Sequence, residues 1–183
     1  NLKHVQYDAV SYSGMLLANE ASGFGRKIPS YDFGAAKIIV SLGADFLGTW
    51  LSPVENAKGY SKGRKIDEKN PSMSKHYHFE GHLSMTGSNA DERFTHRPSE
   101  TGAVAVALAT ALGVAGTSSS VTDAKLKSGI DKVAADLKAH NGEALVVCGS
   151  NDKNVQVIVN AINNAIGAYG KTIDWDKPVN YRQ

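Results

Sequence analysis

The run Lys37-Ile-Ile-Val-Ser-Leu42 constrains the fold more than any other stretch of the chain. Ile38, Ile39 and Val40 follow one another without the in–out alternation of a strand that is wet on one face. Such near-continuous β-branched runs belong to strands covered on both sides, as in parallel sheets. Ala144–Cys148 (ALVVC) has the same character. Strands of this kind alternating with helical segments form a parallel sheet with helices on both faces, joined by right-handed crossovers. The expected fold is α/β: doubly wound, mainly parallel, Rossmann-like.

The remaining elements follow from periodicity and punctuation. Lys3–Tyr7 reads as a short strand, and Asp8 as the N-cap of a helix with Val10, Gly14 and Leu17 on its inner face. Gly23 and Gly25 end that helix, and Pro29 opens a loop. A helix is expected from Ser52-Pro53 to about Lys58, then a polar surface excursion from Gly59 to Ser74. His76–Leu83 has strand character, Ser84–Asp91 is rich in turn formers, and Phe94–Arg97 is a short extended piece. Thr101–Leu112 (TGAVAVALATAL) is apolar nearly all round, which marks a helix buried on most sides. Asp123–His140 carries Leu126, Ile130, Val133 and Leu137 on one stripe. Asn151 or Asp152 caps a last helix with Val155, Ile158, Val159, Ile162 and Ile166 inward. Residues 1–172 read as one domain, and Ile173–Gln183 as a departing tail.

Composition removes several classes of function. With 20 basic and 18 acidic side chains, scattered rather than clustered, nothing resembles a nucleic-acid footprint. The one cysteine, Cys148, cannot supply an iron–sulfur cluster or a thiolate zinc site. Ala103–Ala109 is the longest apolar run, short of the ~18 residues that span a bilayer. A chain opening on Asn1 is expected to be processed or a piece of something longer.

Ligands of an open parallel sheet bind beyond the carboxyl ends of the strands. Three loops qualify: Gly43–Thr49, Gly81–Asp91 and Gly149–Lys153. Asp45 follows the strongest strand and suits the base or ribose of a nucleotide, or a simple glycine turn. Thr86–Asp91 is dense enough in short polar groups to cradle a phosphate or to cap itself. His76, His78, Glu80 and His82 alternate, so in a strand they share a face; that array suits a divalent ion or a solvated surface, and no second element completes a metal set. Cys148 reads as a buried, inert thiol. Gly23–Lys27 reads as a flexible basic loop, and no serine sits in a nucleophile elbow, so no catalytic residue is assigned.

The order of motifs resembles the molybdopterin oxidoreductase family. Tyr31–Asp45 (YDFGAAKIIVSLGAD) stands where that family has a strand leading to Gly-x-Asn/Asp. Glu80-Gly81-His82 stands where it has Asp-Pro-Arg, and Thr86–Asp91 (TGSNAD) where it has Thr-Ala-x-x-Ala-Asp. Tyr7–Asn19 (YDAVSYSGMLLAN), Ser41–Trp50 (SLGADFLGTW) and Met85–Asp91 are most similar to the iron–sulfur, molybdopterin-oxidoreductase-like subunit of alternative complex III. That resemblance implies a fragment of a subunit on the periplasmic side of a bacterial inner membrane. The assembly would be a quinol:cytochrome c oxidoreductase. Its partners would be other domains of the same subunit, a c-type cytochrome and integral-membrane subunits, with the iron–sulfur clusters outside this piece. The implied role is a non-catalytic scaffold in an electron-transfer complex. The alternative is a domain binding pterin guanine dinucleotide, with Gly43, Asp45, Glu80, Thr86 and Asp91 around the cofactor. Replacing the family's arginine by His82 removes a planar fork suited to anions.

Overall fold

The computed structural model describes residues 2–5, 9–66, 68 and 71–179. Its centre is a four-stranded parallel sheet in the order β4-β3-β2-β5, made of β2 (Ile38–Leu42), β3 (Lys75–Glu80), β4 (Glu92–Thr95) and β5 (Ala144–Cys148). All five residues of β2 and of β5 are buried, as their unbroken apolar runs require. The α/β, Rossmann-like expectation is met. The order reverses between β2 and β5, because β2 leads to β3 on one side while β5 returns on the other.

The two faces of β3 show what each layer holds. His76 lies against Phe46 and Tyr60, the latter on α2 (Pro53–Arg64). On the other face the Tyr77 hydroxyl donates to Asp136 of α5 (Ala124–Ala139), 2.5 Å away. Phe79 stacks on Phe94 at 4.9 Å, and that ring fills the space where a side chain on Gly129 of α5 would lie. α4 (Thr101–Leu112) packs between α5 and α6 (Lys153–Ala165), which accounts for a helix without a polar face.

β5 has a single strand neighbour, yet its outer edge is buried. The edge is closed by side chains: Asn163 accepts from Val146 N at 3.1 Å and donates to Val146 O at 2.8 Å. Gln156 donates to Cys148 O, and the Thr172 hydroxyl to Ala144 O. Buried main-chain groups must be paired somewhere, and here amide and hydroxyl side chains replace a fifth strand.

Several expectations need correction. Residues 2–5 carry no regular structure, while Gln6, Tyr7 and the Asp8 cap lie outside the described residues. The first helix, α1, is Ser13–Ala21 with Tyr12 as its N-cap; it buries Met15, Leu16, Ala18 and Asn19, and leaves Val10 and Leu17 exposed. Pro29 sits inside β1 (Ile28–Tyr31), where the register slips between Ile28 and Ser30. A residue without an N–H is tolerated at such an irregularity. α2 continues through Gly59 to Arg64 instead of ending near Lys58. Gly59 and Gly63 are one turn apart on the side of α2 that faces residues 33–34, and the helix runs through both. Met85–Ser88 forms a single helical turn, α3, within the expected loop. Residues 173–179 are no departing tail: β6 (Ile173–Val179) pairs antiparallel with β1, and Trp175 stacks on Phe24 at 4.1 Å. Residues 180–183 lie outside the described residues.

Asn163→Leu keeps the number and branching of the side-chain heavy atoms but orphans both polar groups of Val146. Each such group costs about 1–3 kcal/mol when left unpaired. Urea unfolding should show that loss, and the Val146 amide should exchange with solvent much faster than its neighbours in β5.

Candidate functional site

The carboxyl ends of β2, β3 and β5 meet in a crevice at the reversal of strand order, where an open α/β sheet takes its ligand. Two adjoining clefts lie there, of about 360 and 270 Å3, sharing Gly43, Asp45, His82, Gly149 and Ser150. Gly43 has φ +67°, and its N–H continues the ladder to Phe79 O at 2.8 Å. A Cβ on Gly149 would collide with the Gly43 carbonyl. The two loops therefore touch main chain to main chain.

The side chains around this crevice bond mostly to one another. Asp45 Oδ1 accepts from Thr86 N at 3.0 Å and from the Thr86 hydroxyl at 2.7 Å. The same hydroxyl oxygen accepts from Leu47 N at 2.9 Å, so Thr86 fastens the β2 loop to α3. Ser84 caps α3 by accepting from Gly87 N. Asp152 caps α6 by accepting from Asn154 and Val155, and Asn151 accepts from Gly14 N at the start of α1. Gly14 N, Thr86 N, Gly87 N, Asn154 N and Val155 N, amides that helix starts could offer an anion, thus already have carboxylate, amide or hydroxyl partners.

Glu80 is 3% exposed and holds the rim from inside. It accepts from Arg93 Nε at 2.5 Å, from His78 Nε2 at 2.9 Å and from Ser84 N at 3.2 Å. Burial disfavours its charge, but Arg93, Ser84 and His78 outweigh burial and keep the carboxyl below its usual range. Arg93 supplies a guanidinium beside the crevice, and Glu80 engages it. It lies opposite His78 in the β3–β4 register, a pairing between separate strands that a single sequence does not display.

Of the five expected site residues, Gly43, Asp45, Glu80 and Thr86 gather at the rim. Asp91 does not. α3 carries the chain back across the sheet, and Asp91 lies at the amino end, where its carboxylate accepts from His76 N at 2.7 Å. Arg64 grips the same carboxylate with two bonds of 2.7 Å. Burial is again outweighed, by Arg64 and the His76 amide, and the Asp91 carboxyl is held low.

His76, His78 and Glu80 do share a face, but an interior one, and His82 lies beyond the strand, exposed. The Tyr60 hydroxyl donates to Asn89 O at 2.9 Å, so at the 3.2 Å contact it accepts from His76 Nδ1. His78 Nε2 donates to Glu80. Both rings are therefore neutral donors with one further nitrogen buried and unpartnered. Burial first, then the neighbouring His78 and Arg64, push His76 down to about 3; burial also lowers His78. Among the described residues no group of three or more His, Cys, Asp or Glu side chains converges as a metal set. Cys148 is buried, and burial pushes its thiol up to about 11. The Gly23–Lys27 segment is tethered: Lys27 Nζ donates to Trp175 O at 2.8 Å beside the Phe24–Trp175 stack.

No known family model matches the chain, and a search of curated proteins finds no match.

A histidine whose folded pKa lies below its unfolded value stabilises nothing extra at neutral pH and loses stability as pH falls. Its unfolded form takes up the proton that the folded form refuses. For His76 the window runs from its ordinary 6.5 down to about 3, with a limiting slope of about 1.4 kcal/mol per pH unit. Glu80 and Asp91, with lowered pKa values, add their losses only below the usual carboxylate range. Urea midpoints should therefore already drop between about pH 6.5 and 5, above the carboxylate range. His76→Phe, which keeps the ring against Phe46, should make that limb shallower, with His78 and His96, both also lowered by burial, carrying what remains.

Proposed function

We propose that this chain is a scaffold domain: a doubly wound sheet that keeps the ligand crevice of its class but carries no reaction of its own. The more particular reading is the resemblance set out above. The domain would belong to the iron–sulfur, molybdopterin-oxidoreductase-like subunit of an alternative complex III, a membrane-bound quinol:electron-acceptor oxidoreductase. Its neighbours would be other domains of that subunit, a c-type cytochrome and integral-membrane subunits, on the periplasmic side of a bacterial inner membrane. No helix of the described residues is long and apolar enough to cross a membrane; in this reading the integral-membrane subunits supply the spans of the complex. The single cysteine leaves the iron–sulfur clusters to other parts of the parent protein.

One observation carries the scaffold reading. At the rim, Asp45 is bonded to Thr86, Glu80 to Arg93 and Ser84, and Asp152 to the first amides of α6. A dinucleotide needs a free carboxylate for base or ribose and free donors for its phosphates, and breaking these pairs would cost about 1–3 kcal/mol for each buried group left alone. The rim residues therefore do not fit a pterin guanine dinucleotide in the arrangement they hold. The second reading, a working dinucleotide-binding domain, rests on the two clefts at the strand reversal, which persist.

Melting the protein with and without GDP at about 1 mM separates the two. Ligand at about 100 times its Kd stabilises the folded state by about 2.7 kcal/mol, which in a domain of this size raises Tm by roughly 5–10 °C. The scaffold reading expects no shift; a rise of that size, lost in Asp45→Ala, would replace it with the second reading.

A further inference from the structure

Among the described residues no lysine or arginine lines either of the two rim clefts, whereas Asp45 lines both. Asp45 Oδ1 is taken by the amide and the hydroxyl of Thr86. Oδ2 accepts from the Thr49 hydroxyl at 3.3 Å. A carboxylate oxygen takes two donors, so one place on Oδ2 stays open. Glu80 has Arg93 as its cation, but no cation of the described residues lies within ion-pair distance of Asp45.

His96 lines the smaller cleft and is 9% exposed. The Thr101 hydroxyl donates to Pro98 O at 2.9 Å, so it accepts from His96 Nε2, also at 2.9 Å. His96 Nδ1 therefore carries a lone pair, and it is buried without a partner. Burial lowers the pKa of this ring and keeps it neutral at neutral pH.

Asp45 Oδ2 and His96 Nδ1 are both acceptors, and one of them is charged. The group that complements them is a donor with positive charge. An anion finds no cation on these walls. A guanidinium or a guanine edge engages both oxygens of a carboxylate at once, and Oδ1 is taken. An ammonium is a compact charge with three rotatable donors, and one open oxygen suffices for it. The larger cleft brings Tyr12, Met15 and Trp50 to the same mouth, and apolar walls suit the hydrocarbon stem of such a group. Trp50 Nε1 is a buried donor without a partner, which a carbonyl carried on the stem would satisfy.

We propose that the paired clefts take a primary alkylammonium group, with Asp45 as its counter-ion, His96 as a second acceptor and the stem along Tyr12, Met15 and Trp50. The proposal rests on the scaffold reading, because a dinucleotide would fill the same space.

Two amines test it: n-butylammonium, a free small molecule, and Nα-acetyl-lysine methylamide, which presents the same head as a polypeptide does. Each is titrated into the full chain in about 20 mM salt and followed by backbone amide shifts. The expected result is saturable binding with a Kd of about 1–10 mM, within reach of so few atoms. Shifts should be confined to residues 43–50, 80–84, 96–101 and 149–151. Binding of either amine supports the proposal, and the tighter of the two gives the source of the ammonium. n-Butanol, the neutral match, should bind at least about tenfold less tightly, as loss of a charged hydrogen bond requires. n-Butylguanidinium should also bind less tightly than n-butylammonium. Asp45→Asn, which keeps one oxygen for Thr86, should weaken amine binding at least about tenfold, and His96→Phe about fivefold, the worth of one neutral hydrogen bond. The comparison of amine, guanidinium and alcohol uses the parent chain alone and stands whatever the stability of the variants. The proposal is overturned if neither amine binds, if butanol or butylguanidinium binds as tightly as butylammonium, if folded Asp45→Asn binds undiminished, or if the shifts fall elsewhere. Missing amine binding overturns this proposal alone; a rise in Tm with GDP overturns the scaffold reading with it.

Discussion

β5 is buried on every side but has a strand on only one, and much of the architecture follows from satisfying its other edge. Water cannot reach Val146 or Cys148, so their polar groups need partners within the protein. α6 meets that need through Asn163 and Gln156, and the turn after it through Thr172. Those bonds fix the rotation and height of α6. They also fix where the chain leaves it, and so where β6 must run to reach β1. A buried amide bonded to a strand edge thus sets the second, smaller sheet as well as the first.

The polar groups of the interior are connected rather than scattered. Glu80 joins β3 to β4 and to the start of α3; Asp91 joins α2 to the start of β3; Asp45 joins the β2 loop to α3. Each carboxylate bridges elements distant in sequence, and each has a cation or several N–H and O–H donors to compensate burial. A rim built in this way is stiff, because moving one loop breaks bonds to two others. Stiffness and internal saturation are what a structural domain needs. A binding site needs groups left over.

The core elements were legible because their signals are local. The apolar runs of β2 and β5, the stripe of α5, the all-apolar α4 and the Asp152 cap lie within a few residues each. What stayed hidden depends on neighbours far along the chain. β6 contains Asp174, Asp176, Lys177 and Pro178, reads as a tail, and becomes a strand only beside β1. Gly59 and Gly63 look like breaks in a helix until residues 33–34 are placed against them. Thr86 and Asp91 look like one motif, but a helical turn between them sends them to opposite ends of the sheet. The four rim residues could be named from the sequence; that Asp45 bonds to Thr86, and that Arg93 supplies the cation for Glu80, could not.

The meeting of Gly43 and Gly149 has an evolutionary corollary. Since backbone lies on backbone there, the breadth of the opening is a property of two peptide planes rather than of any side chain. Even a methyl group at position 149 would lever the ends of β2 and β5 apart and strain the Gly43–Phe79 link. Substitutions can rewrite the lining of such a mouth many times over while its gauge is inherited unchanged.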